Sequence, residues 1–122
     1  MNTYLTGIDH IQIAAPQRAE DSARKFYGEL LGMTEIPKPD NLKGRGGCWF
    51  QCGSHEVHIG IQTDFSPAKK AHPGFIVNAL EQLKSQLHEE GYSISEEPPI
   101  GGSQRFFTRD QFGNRLEVIE FK

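Results

Sequence analysis

Four side chains able to hold a metal ion recur at matched spacings: His10 and His58, 48 residues apart, and His72 and Glu117, 45 apart. Imidazole nitrogens and a carboxylate suit Zn²⁺, Fe²⁺, Mn²⁺, Ni²⁺ or Co²⁺. Two histidines and one carboxylate with open positions also make the facial triad of non-haem iron. Glu117 stands in the segment Asn-Arg-Leu-Glu-Val-Ile-Glu-Phe at 114–121. On a strand, successive side chains face opposite sides. Leu116 and Val118 then share one face, and Glu117 shares the other with Ile119 and Phe121. A carboxylate on an otherwise apolar strand needs a partner, because burying it alone is costly. The three histidines are the candidates.

The elements that must position them follow from periodicity. Residues 7–13 alternate as a strand, with Ile11 and Ile13 on one face and Ile8, His10 and Gln12 on the other. Residues 17–31 carry the apolar stripe of a helix, Ala19, Ala23, Phe26, Tyr27, Leu30 and Leu31, stopped by Gly32. A short strand at 33–36, a loop at 37–47 and a hairpin of strands at 47–52 and 56–62 follow. The polar linker 64–71 ends the first half. The pattern then restarts. A strand at 72–77 leads to a helix carrying Leu80, Leu83 and Leu87, with Asn78 as cap and Glu81 at N3. Strands at 92–95, 104–109 and 115–121 complete the second half.

Each half therefore reads strand, helix, strand, strand, strand, and internal repetition of this kind decides the fold. The prediction is an α+β domain over 1–122, with module 1 at about 5–63 and module 2 at about 71–122. The two βαβββ modules form a curved mixed sheet with helices on its outer face. Its concave cleft gathers His10, His58, His72 and Glu117, with Gln12 and Gln62 nearby. His58 is the ligand the site needs least, since three protein ligands suffice for a catalytic ion. His55, in a turn, and His88, on a helix, are expected in solvent.

Composition excludes some classes. The formal net charge of −3 and the absence of a basic run argue against nucleic-acid binding. The first residues carry neither a signal pattern nor an apolar span, so a cytoplasmic protein off the membrane is expected. Cys48 and Cys52, on one strand, stand about 13 Å apart, too far for a disulfide, and read as two thiols. Arg105 and Arg109 share a strand face and suit a substrate carboxylate or phosphate. Trp49, Phe50, Phe106 and Phe107 suit the wall of a pocket, and residues 38–47 a surface loop or lid.

The sequence resembles the vicinal oxygen chelate superfamily of glyoxalases, extradiol dioxygenases and bleomycin- and fosfomycin-resistance proteins. Three stretches carry the resemblance: Gly-Ile-Asp-His-Ile-Gln-Ile at 7–13, Ala-Arg-Lys-Phe-Tyr-Gly-Glu-Leu-Leu-Gly-Met at 23–33, and Arg-Asp-Gln-Phe-Gly-Asn-Arg-Leu-Glu-Val-Ile-Glu at 109–120. It implies paired βαβββ modules, a homodimer, a cleft shared in many members between subunits, and one divalent ion held by His10, His72 and Glu117. Where glyoxalase I has a glutamate and methylmalonyl-CoA epimerase a glutamine, this chain has His58. Glu117 is then the remaining carboxylate to serve as a base. Three functions compete: a metal-dependent lyase, isomerase or transferase for a small oxygen-rich substrate; an Fe²⁺ extradiol dioxygenase; and a metal-free drug-binding resistance protein. The intact His/His/Glu set favours an enzyme of the first kind.

Overall fold

Alternating apolar residues build the first strand of the chain, β1, at His10–Ala15, with Ile13 and Ala15 buried. The computed structural model describes residues 4–122. The reading of the N-terminus as free of a targeting segment falls partly on residues 1–3, outside the described residues. Helix α1 follows, α-helical at Glu20–Ala23 and π-helical at Arg24–Leu30. The expected start at residue 17 is not met: Arg18 adopts a positive φ of 65°, which an α-helix cannot include. The π turn is marked by the Leu31 N–H donating to the Phe26 carbonyl five residues back.

Strands β2 (Thr34–Ile36), β3 (Cys48–Cys52) and β4 (His55–Ile61) complete the first half. The loop expected at 37–47 contains a 3-10 helix at Asp40–Arg45. Gly47 sits where only glycine fits. Its φ is +84°, and a Cβ there would lie 2.1 Å from the Ile59 carbonyl oxygen. Its N–H donates to Glu20 Oε2 at 2.8 Å, tying β3 to α1.

The second half repeats the plan with β5 (Gly74–Ile76), α2 (Leu80–Glu89), β6 (Ser95–Glu97), β7 (Ser103–Arg109) and β8 (Arg115–Phe121). Asn78 does not cap α2. The cap residue is Ala79, with no side-chain cap of its own, and the Leu80 N–H donates instead to Glu120 Oε1 on β8 at 3.2 Å.

The protein is α+β, but its strands form two four-stranded mixed sheets, ordered β1-β4-β3-β2 and β5-β8-β7-β6. In each, the first and last strands pair in parallel and the others antiparallel. The inner faces share one core, in which Phe26, Tyr27, Val57 and Ile59 join Leu80, Leu87, Leu116 and Val118. Buried polar groups lock the halves together. The Asp110 carboxylate accepts hydrogen bonds from the Tyr27 hydroxyl (2.6 Å), the Phe112 and Asn114 N–H groups (each 2.9 Å) and Asn114 Nδ2 (2.9 Å). Asn114 Nδ2 also donates to the Ala14 carbonyl on β1 at 2.8 Å. The Asp-x-x-Gly-Asn turn at 110–114 is thus a brace between modules, and every buried polar atom in it has a partner.

Candidate metal centre

The parallel pairing of β5 with β8 sets Gly74 opposite Glu117, and the Glu117 N–H donates to the Pro73 carbonyl at 3.0 Å. His72, two residues before Gly74, thereby meets Glu117, with Nε2 3.1 Å from Oε1. The other ring nitrogen, Nδ1, lies 3.1 Å from the Lys70 carbonyl. A carbonyl accepts a hydrogen bond from Nδ1, whereas Arg115 Nη1, 3.4 Å from the same nitrogen, donates to its lone pair, so both ring tautomers find a partner here. With the proton on Nε2 the ring donates to Glu117; with it on Nδ1 the Nε2 lone pair faces a carboxylate oxygen, and two acceptors at this distance call for a cation between or beside them. Arg105 Nη1 donates to the second oxygen, Glu117 Oε2, at 3.1 Å, and Arg105 Nε donates to the Pro98 carbonyl. Phe107 sets its ring edge-on against His72, with centroids 4.8 Å apart.

The first half holds the other pair. The β1–β4 register sets His10 opposite Glu56 and Gln12 opposite His58. His10 Nδ1 lies 2.8 Å from Asp9 Oδ2, so this ring carries its proton on Nδ1 and presents Nε2. His58 has the opposite tautomer. Its Nε2 lies 2.9 Å from Glu56 Oε1, which can only accept. The His58 ring is also sandwiched, stacked on Trp49 at 3.7 Å and on His10 at 4.1 Å. Buried to 5% exposure, it has its Nε2 occupied and both faces covered. A carboxylate thus holds one ring nitrogen of His10 and of His58 and leaves the other to donate to an ion; His58 differs in being buried and stacked on both faces.

Within one chain the four predicted ligands do not gather. Among the described residues no group of three His, Cys, Asp or Glu side chains is placed to hold an ion. Each pair sits with its own four-stranded sheet, His10 and His58 with the first, and Glu117 with His72, which just precedes β5, with the second. The substrate-binding candidates divide as well. Gln12 and Gln62 border a groove of about 470 Å³ together with His72 and Arg115. Arg105 is committed to Glu117, and Arg109 donates to the Gly113 carbonyl at 3.1 Å. His55 and His88 are exposed, as expected. Both cysteines are free thiols, and burial pushes Cys48 up to about 11 and Cys52 upward, which makes them poor nucleophiles.

Sequence reasoning missed Arg115, Asp9 and Glu56. Each was within reach of the same alternation or adjacency: Arg115 lies two residues before Glu117, Glu56 two before His58, and Asp9 next to His10.

Residues 7–118 match the family model of the glyoxalase/bleomycin resistance protein/dioxygenase superfamily. A crystal structure from Bacillus anthracis, described as of the glyoxalase family, is 49% identical with a TM-score of 0.93, and the alignment covers 100% of both chains. The Arabidopsis thaliana protein "Glyoxylase I 4" is 25% identical over 94% of this chain and 71% of its own. The fosfomycin resistance protein FosX from Listeria monocytogenes shares the fold, with a TM-score of 0.76 at 14% identity over 97% of this chain and 95% of its own.

Proposed function

The chain belongs to the glyoxalase/bleomycin resistance protein/dioxygenase superfamily, and we propose that it is a divalent-metal enzyme of that superfamily, a lyase, isomerase or transferase acting on a small oxygen-rich molecule. The observation that carries this reading is His72 Nε2 facing Glu117 Oε1 at 3.1 Å while Nδ1 is tied to the Lys70 carbonyl. His10, with Nδ1 held by Asp9, is the third ligand. Since one chain keeps these residues on separate sheets, His10 of one copy joins His72 and Glu117 of a second, and the working unit is a homodimer. Exposed apolar side chains support this. Phe121 (60% exposed) shares its strand face with Glu117, and Ile76 (71% exposed) pairs with Ile119 on that face. The two modules, about 5–63 and 71–122, act as one domain. The free thiols suit a reducing compartment, the cytoplasm. No helix among the described residues is long and apolar enough to cross a membrane.

A Zn, Fe, Ni, Mn or Co ion held there would act as a Lewis acid on two substrate oxygens. The protein's own part is proton transfer and orientation. Glu117, the carboxylate of the set, moves the proton. Arg105 orients the carboxylate through its second oxygen and leaves the oxygen facing His72 to take the proton. The same His10, His72 and Glu117 set would serve a ferrous extradiol dioxygenase, so the identity of the ion selects between the readings. Elemental analysis of untagged protein should find about one ion per chain. It should be lost in Glu117→Ala and His10→Ala and kept in His58→Ala. Iron directs assays to catechols and oxygen, and zinc, nickel or manganese to glyoxalase-type substrates. Wild-type protein that binds none of these ions after reconstitution would overturn the proposal and leave a metal-free binding protein.

A further inference from the structure

We infer that Arg109 and Arg115 form an anion-binding site that holds a carboxylate or phosphoryl group of the substrate beside His72. This rests on the metal-enzyme reading for its purpose, though not for its chemistry. Arg109 on β7 is directly opposite Arg115 on β8. Like charges at directly opposed positions of an antiparallel pair repel and destabilise the sheet. Among the described residues no carboxylate relieves this pair. Arg109 Nη1 donates to the Gly113 carbonyl and Arg115 Nη1 to the Lys70 carbonyl, each at 3.1 Å. Both acceptors are neutral. Among the described residues neither guanidinium has a carboxylate partner, whereas Arg24 and Arg105 each do.

The two arginines border one cavity of about 210 Å³, with Ser93 and Ser95 across from them. Glu97 also borders it but forms no ion pair with either arginine. Arg115 sits over the Phe107 ring, its Cζ 4.0 Å from the centroid, a contact that restricts the guanidinium while an oxyanion can still be taken bidentately by its N–H groups. The same arginine links this cavity to the proposed metal centre. Its Nη1 is 3.4 Å from His72 Nδ1, and it also borders the groove that holds His72, Gln12 and Gln62. A substrate chelated at the ion would therefore have its anionic end within reach of Arg115. Of the arginines singled out from the sequence, Arg105 is spent on Glu117, and Arg115 takes its place.

Calorimetric titration of the full chain with inorganic phosphate, and separately with acetate, tests this, each with and without prior metal removal. Phosphate or acetate should bind the metal-depleted protein. Arg109→Gln and Arg115→Gln should each weaken binding about tenfold or more, while Arg45→Gln, which removes the same charge from the distant 3-10 helix, leaves it unchanged. Thermal unfolding adds a readout that damage to the fold does not give. Without anion, Arg109→Gln should unfold at or above the wild-type temperature because the repulsion is gone; with phosphate, it should unfold below. Wild type binding neither probe would overturn the inference. So would binding that persists in both arginine variants and disappears on chelation, which belongs to the ion alone. Arginine-dependent binding in a protein that proves to hold no metal sustains the anion site while the metal reading fails.

Discussion

Asp110 shows how one buried residue ties distant parts of the chain together. Its four hydrogen bonds include one from Tyr27, 83 residues away, and Tyr27 is fully buried. Burial first, and then the Asp110 charge and hydrogen bond, hold the Tyr27 phenol well above its usual range. A group whose folded pKa is raised contributes stability that is complete below its unfolded value, about 10 for tyrosine, and is lost as pH climbs toward the folded value. Tyr27→Phe should therefore lose about 1–3 kcal/mol at neutral pH, and the difference from wild type should shrink as the medium becomes alkaline. Urea unfolding at neutral pH and again above pH ~10 checks both parts; a constant difference would contradict the assignment. From the sequence, Tyr27 read as one member of a helical stripe and Asp110 lay in the connection between the strands at 104–109 and 115–121. Their bond joins two modules, and no local pattern encodes a contact of that range. The alternation that exposed Glu117 acts between neighbours, so it was legible.

Elements were legible as types more than as limits. Alternation located β1, β4 and β8, because a half-buried strand must segregate apolar from polar faces, and flanking turn residues and the repeat located the other described strands. Their ends moved by one to three residues where no strong turn residue fixed them, as at β1, expected at 7 and found from His10. The π turn in α1 left no sequence trace, since its apolar stripe serves either helix equally well. The start of α2 was misassigned for a clear reason. Asn78 has the right chemistry for a cap, but Glu120 reaches the Leu80 N–H from β8, and a charged acceptor at a helix N-terminus also complements its dipole. Glu120→Ala should cost about 1 kcal/mol, the typical worth of a cap, read as a lowered midpoint in thermal unfolding. Asn78→Ala should cost less, the reverse of the order the sequence alone suggests.

At the scale of the whole molecule, the division of the ligands between two sheets makes a demand on assembly. If His10 comes from one copy and His72 with Glu117 from another, two inactive variants can repair each other. A mixture of His10→Ala and Glu117→Ala chains, unfolded and refolded together, contains mixed dimers with one intact site and one doubly damaged site. Metal binding should return to about a quarter of sites by random pairing in a two-fold dimer. If the cleft closes within a single chain, mixing restores nothing. The pairing of residues by repeat was visible in the sequence; a cleft shared between copies was implied there only by resemblance, because periodicity reports the face of a sheet and says nothing of which chain faces it. One further property comes with the stacked column in the first sheet. Trp49 is the sole tryptophan of the protein, and its indole lies 3.7 Å from His58, which in turn stacks on His10. All indole emission from this chain therefore originates one ring away from a proposed ligand, and metal binding at the proposed site should register as a change in that emission.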